Sequence, residues 1–189
     1  MKKRLFALLG LAALLVSLLC ACGENAPKTA DENIQKNESV KPESVKTEPF
    51  TTEAYSFDLP ETVTAEEGAD GGLTLFLLDG EEVGGVQIIP YEDARALRAD
   101  DMTTEAGRVK FDELLALVCP EGNVDHMFSA SLEGSFCLDV IPHPGQAAPE
   151  SRHTFFPKGD VFYDLFFYQD GGLPRAEDQV ILGSFSLAS

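Results

Sequence analysis

From Phe50 onward the chain alternates short apolar runs with turn residues, and the spacing inside each run separates strands from helices. Tyr55-Ser56-Phe57-Asp58-Leu59 alternates at period two and stops at Pro60, which reads as a half-buried strand. Leu73–Leu78 runs into Asp79-Gly80, a pair that tolerates the positive φ of a tight hairpin, and residues 83–89 form the return strand. Residues 127–132 and 135–141 flank Glu133-Gly134 as a second hairpin. Residues 154–156 and Val161–Tyr168 flank Pro157-Lys158-Gly159-Asp160 as a third. In the last strand Val161, Tyr163, Leu165 and Phe167 alternate with Phe162, Asp164, Phe166 and Tyr168, so both faces are covered and the strand is central.

Two segments change the period. Phe111, Leu114, Leu115 and Val118 fall at i, i+3, i+4 and i+7, which predicts a helix over 108–118 that Pro120 and Gly122 end. Near the C-terminus Pro174 suits a first helical position, with Glu177 and Asp178 in the turn where the helix dipole favours acids. Ala176, Val180 and Ile181 are expected to face inward, up to Gly183. Residues 91–98 predict a third, weaker helix. The fold class is therefore α+β: an antiparallel sheet built from successive hairpins with two or three covering helices. The order from "YSFDLP" (Tyr55–Pro60) through paired hairpins to a terminal helix closing on "ILGSFSL" (181–187) resembles the PsbP/Mog1-type fold as it occurs in small bacterial lipoproteins. That resemblance covers the layout of residues 53–187 and implies a fold alone, since function belongs to a site.

Upstream the pattern is different. Met1-Lys2-Lys3-Arg4 precedes an uncharged apolar run from Leu5 to Leu19, the layout of an export signal over residues 1–21. The run falls short of the roughly 20 residues a spanning helix needs. Leu19-Cys20-Ala21-Cys22-Gly23 resembles the lipobox of bacterial lipoproteins, and Cys22 fits its modified position while Cys20 would leave Leu19 where a small residue belongs. The resemblance implies a diacylglyceryl thioether on Cys22 and a chain anchored to the extracytoplasmic face of the cell membrane; an ordinary secreted protein cut nearby is the other reading. Residues 22–49 then hold the lipidated cysteine and a disordered tether, because a stretch without aromatics and rich in Lys, Glu, Asn, Ser and Pro cannot offset its ordering entropy. Its r.m.s. reach is on the order of 30 Å. Residues 50–189 make one α+β domain.

Charge narrows the partners. The whole chain carries −18, and residues 50–189 hold 7 basic against 26 acidic side chains. Nucleic acid is excluded as a partner because binding it requires Lys and Arg to neutralise phosphates. A cationic peptide, a metal ion or the basic face of an envelope protein would be attracted.

The sequence offers little reactive chemistry. There is no G-x-S-x-G elbow; Ser135 and Ser184 read as turn and helix-end residues. His126, His143 and His153 lack metal-ligand spacing, no calcium-loop pattern occurs, and no phosphate loop or cofactor is expected. Cys119 and Cys137 are left either as a disulfide, which an exported domain permits, or as buried thiols. The loop from His143 to Glu150 reads as a connector. The most distinctive stretch runs from Glu82 to Asp93 and places Gly84 and Gly85 inside a strand. They mark either a bulge that lets a helix pack on the sheet or an open strip where a partner docks beside Gly84, Gly85 and Gln87, with Tyr91 and Asp93 at its rim.

The expected function is a noncatalytic binding or accessory domain acting on another envelope or membrane protein. A small-ligand or cation-binding receptor is the alternative, and an enzyme assembled from distant residues the third. Cys22→Ala is expected to release the protein from the membrane fraction while Cys20→Ala leaves it there, read by fractionation of cells expressing each variant.

Overall fold

The computed structural model describes residues 44–189 apart from 121, 122, 132, 133 and 147, so the expected leader, Cys20, Cys22 and most of the expected tether lie outside the described residues. The chain runs through β1 (Thr47–Thr51), β2 (Tyr55–Pro60), β3 (Val63–Glu67), β4 (Leu73–Leu78) and β5 (Glu81–Pro90). Two 3₁₀ helices (Ala94–Ala96 and Ala99–Thr103) lead into α1 (Glu105–Val118). Then follow β6 (Val124–Ala130), β7 (Phe136–Pro142), β8 (Ser151–Lys158), β9 (Val161–Tyr168), α2 (Arg175–Ser184) and β10 (Ser186–Leu187). Strands β3-β4-β5-β9-β8-β7-β6 form a seven-stranded antiparallel sheet, and β1-β2-β10 a small second one. The expected α+β class holds, with two meanders of hairpins joined where β5 pairs β9 across a long connection.

The expected central position of β9 also holds: it is the middle strand, and residues 162–167 are all buried. Its alternation builds two cores. Tyr163, Leu165 and Phe167 join Tyr55, Phe57 and Ile181 under α2 and the small sheet. Phe162 joins Phe136, Phe155, Phe111 and Leu114 under α1 on the other face. At roughly 1.5–3 kcal/mol for each large apolar side chain removed from water, these two layers dominate the stability.

Local chemistry explains the boundaries that periodicity misplaces. Helix α1 begins at Glu105 rather than 108, because Thr104 caps it by accepting a bond from the Gly107 amide at 3.0 Å. The helix expected at 91–98 is replaced by the 3₁₀ helices: Asp93 sits at φ 57°, and the buried pair Ala94 and Leu97, three apart, matches three residues per turn. Pro174 caps α2 rather than opening it, and Ala176 is exposed, while Ile181 is fully buried. Ser184 closes that helix by donating to the Val180 carbonyl at 2.7 Å and accepting from the Asp58 amide at 2.8 Å, which ties α2 to β2. β1 starts at Thr47, inside the segment expected to be tether; only Phe50 packs, on Phe57 at 4.9 Å, so no alternation announces the strand. β3 likewise carries little apolar alternation, since Glu66 and Glu67 complete it.

The turn at Asp79-Gly80 has both residues at positive φ, 53° and 86°, as a twist-matched hairpin requires. Beside it β5 carries a bulge, where Leu77 faces Glu82 and Phe76 faces Gly84 with Val83 extra. Gly84 and Gly85 are buried between β4 and β9. A Cβ on Gly84 would lie 2.3 Å from the Phe166 carbonyl oxygen, and one on Gly85 would lie 2.4 Å from that of Thr74 and 3.0 Å from the Phe166 ring. The bulge is there, but the glycines admit neighbouring strands and a ring rather than a helix.

Gly84→Ala is expected to lower stability by at least about 2 kcal/mol through overpacking. Gly183→Ala, on an open stretch of α2 where a Cβ meets nothing within 4 Å, should raise it by about 0.5–1 kcal/mol. Urea unfolding of the two variants in parallel checks both signs.

Candidate functional site

Helix α2 packs over β2 and the β9 side of the sheet and leaves the β6–β7 half of the same face uncovered. Along that boundary runs a groove of two lobes, of about 570 and 640 Å³, which share Thr154, Gln179 and Leu182. Strand alternation supplies its floor. Phe136, Leu138 and Val140 of β7 point under α1, so Cys137 points the other way; Arg152 and Thr154 of β8 and Ser129 of β6 do likewise. Helix α2 supplies the wall with Arg175, Asp178, Gln179 and Leu182. The second lobe continues past Ser131, Ser135, Phe156 and Phe185 to Leu187.

Two of the seven basic side chains of residues 50–189 line the first lobe. Arg152 is held as a fork by Asp139, with Nε at 2.6 Å from Oδ1 and Nη2 at 3.2 Å from Oδ2. Asp178 has Oδ1 buried without a hydrogen-bond partner among the described residues. Burial pushes its carboxyl above the usual carboxylate range, and the Gln179 bonds with Arg175 and Arg152 offset only part of that. A carboxylate kept where it costs stability, at the mouth of a groove, is suited to a cation or to a hydrogen-bond donor brought by a ligand.

On the opposite face lies a buried polar array that local sequence does not reveal. Asp164 Oδ2 accepts from Gln87 Nε2 at 2.7 Å and pairs with His153 Nδ1 at 2.8 Å, while His153 Nε2 meets Ser151 Oγ at 2.9 Å. The connectivity is that of a hydrolytic triad. Its setting is not: Asp164 is 0%, His153 5% and Ser151 6% exposed, and the imidazole stacks between Phe155 and Phe166. Asp164 Oδ1 has no partner among the described residues. The array is an internal polar layer that spans the three central strands, and removing one member would strand a buried charge or dipole. Its members meet through sheet register, with Gln87 opposite Asp164 and Ser151 two residues before His153, so only cross-strand pairing could have exposed them.

The residues singled out around the double glycine do not form a surface. Gly84 and Gly85 are sealed in the sheet, with both edges of β5 paired, so no open strip lies beside them. Gln87 is spent on Asp164. Tyr91 is half-buried on Phe162 and donates to the Lys110 carbonyl, and exposed Asp93 starts the first 3₁₀ helix. Cys119 and Cys137 are free rather than bridged. Cys119 ends α1 in the core of that face, where burial and the Asp164 carboxylate push its thiol pKa up; Cys137 lies on the groove side of the sheet. Cys22 falls outside the described residues. Among the described residues no three metal-ligating side chains gather, and no helix is long and apolar enough to cross a membrane.

Because folding raises the Asp178 pKa, stability from this site is present at low pH and declines as pH rises through the folded value. Asp178→Asn removes that decline. The variant is expected to melt higher than the parent near neutral pH, with the gap closing as pH falls below the ordinary carboxylate range, measured by thermal unfolding across pH.

No family model matches the chain, and no curated protein sequence matches it. Among solved structures the chain is similar to the solution structure of cyanobacterial PsbP (CyanoP) from Synechocystis sp. PCC 6803, at 14% identity and a TM-score of 0.46, over 79% of this chain and 96% of that one.

Proposed function

We propose that the chain is a lipid-anchored lipoprotein on the extracytoplasmic face of the cell membrane, with a noncatalytic domain that binds and modulates another envelope or membrane protein. The observation that carries this reading is the two-lobed groove beside α2, with Asp178 held in its wall at a cost to the fold. The lipobox-like Leu19-Cys20-Ala21-Cys22 and the charged, aromatic-free segment after it support the address. Two acyl chains suffice for stable attachment where one is marginal. The PsbP/Mog1-type layout expected from the sequence remains part of the proposal. The net charge of −18 favours a basic partner face. The sealed Ser151-His153-Asp164 array, with no member more than a few per cent exposed, offers no reagent a route and supports a noncatalytic role.

The second reading, a small-ligand or cation receptor, uses the same groove and draws on Asp178 alone. It differs in outcome: a small molecule or Ca²⁺ would raise the melting temperature saturably.

The test is photo-crosslinking in intact cells from a probe at Gln179, exposed on the groove wall, with a probe at exposed Gln146 in the β7–β8 loop as control. A recurring membrane-protein adduct from Gln179, absent from Gln146 and lost in Leu182→Arg, is the expected result. Turnover of an envelope substrate by the purified protein, abolished by a point mutation, would refute the noncatalytic reading.

A further inference from the structure

The seven-stranded sheet has two outer strands, β3 and β6, and they are guarded differently. β3 ends in Glu66 and Glu67, both exposed, the kind of charge that discourages another strand from pairing there. β6 reads Val124-Asp125-His126-Met127-Phe128-Ser129-Ala130, seven residues without Lys, Glu or Pro, and Met127 at its centre is 61% exposed. Its inner side is paired with β7 throughout its length. An outer row of strand N–H and C=O groups is fully matched only by another extended chain.

We propose that β6 is a docking edge for an extended, cationic segment of a partner protein, added as a further strand of the sheet; the inference rests on the reading of the chain as a protein-binding accessory domain. Alternate residues of β6 adjoin two receptors. His126 and Phe128 line a cavity of about 250 Å³ with Met102, Phe111, Arg108 and Asp112, roomy enough for one apolar side chain. Ser129, on the other face, lines the groove beside α2. An added strand sends its side chains to the two faces in turn, so one row meets the cavity and the other meets the groove side.

Charge selects the occupant. Asp100 and Asp101 lie on the 3₁₀ helix beside β6, Asp112 lines the cavity and Asp125 lies on the strand, against Arg108 in that cavity. His143 bonds Asp125 at 3.1 Å, His126 lines the cavity and Arg98 caps the 3₁₀ helix, so four aspartates there face two arginines and two imidazoles. A second copy of this chain would bring −18 against −18, whereas a basic segment is drawn in by the same field.

The experiment uses the full-length protein and a blocked synthetic peptide of alternating Lys and Val, with a Glu-Val peptide and an N-methylated Lys-Val peptide as controls. The expected result is saturable binding of the Lys-Val peptide with slowed amide exchange over residues 124–130. N-methylation at alternate amides, which removes strand bonds and keeps charge, should weaken it about tenfold or more, as should Met127→Lys at this exposed site. The Glu-Val peptide should not bind. Binding indifferent to N-methylation, or perturbing Thr154, Gln179 and Leu182 instead of β6, would overturn the edge while leaving the groove reading intact. Self-association through β6 in sedimentation would assign the edge to a second copy, and no binding by any peptide would remove the proposal. Failure of the Gln179 crosslinks in cells, with the peptide result standing, would remove the accessory reading alone.

Discussion

A strand buried on both faces has to be apolar in both registers, and everything else in this fold is arranged around that requirement on β9. Its odd residues need a cover, which α2 and the small sheet provide; its even residues need another, which α1 and the 3₁₀ helices provide. Neither edge is free, because β5 and β8 pair along it. The exception is Asp164, a carboxylate at 0% exposure in the middle of the strand. It is tolerated because each flanking strand hands it one donor, Gln87 from β5 and His153 from β8, so the polar layer also fixes how those strands line up. A one-residue slip of either neighbour would turn that donor to the opposite face.

Much of this was readable beforehand, for reasons that can be named. Asp79-Gly80 forced a turn, the Phe111–Val118 stripe forced a helix, and a strand apolar in both registers forced β9 to the centre. Harder to read were features set by atoms distant in sequence. β1 and β3 are held by pairing rather than by their own side chains, and composition alone does not mark where β1 begins. The double glycine was conspicuous as a pattern, yet its meaning depended on the Phe166 carbonyl and ring, more than 80 residues away. Candidate site residues fared worst. The groove is a by-product of where α2 stops covering the sheet, and Ser129, Arg152, Thr154 and Asp178 share no motif.

The two faces of the sheet are unequal, and the inequality is what makes a surface available. Under α1 the rings of Phe111, Phe136, Phe155 and Phe162 interlock, several at T-shaped angles, and leave a cavity of about 250 Å³ toward β6. Under α2 the packing thins toward β7 and β6, where hydroxyls, a thiol and a forked Arg–Asp pair replace apolar side chains. On that face Met127 and Ile141 stand 61% and 48% exposed among these polar side chains.

The placement of the two thiols bears on the order of oxidation and folding. Cys119 belongs to the layer beneath α1 and Cys137 to the layer beneath α2, so the finished sheet stands between them as a wall. Under oxidising conditions an unfolded chain would bring them together freely, since 18 positions separate them. A bond made then would join two residues that the native sheet keeps on opposite faces. Oxidation before folding is thus a covalent trap for this chain, and a Cys119–Cys137 bridge found in any preparation would mark molecules that were oxidised before β7 took its place.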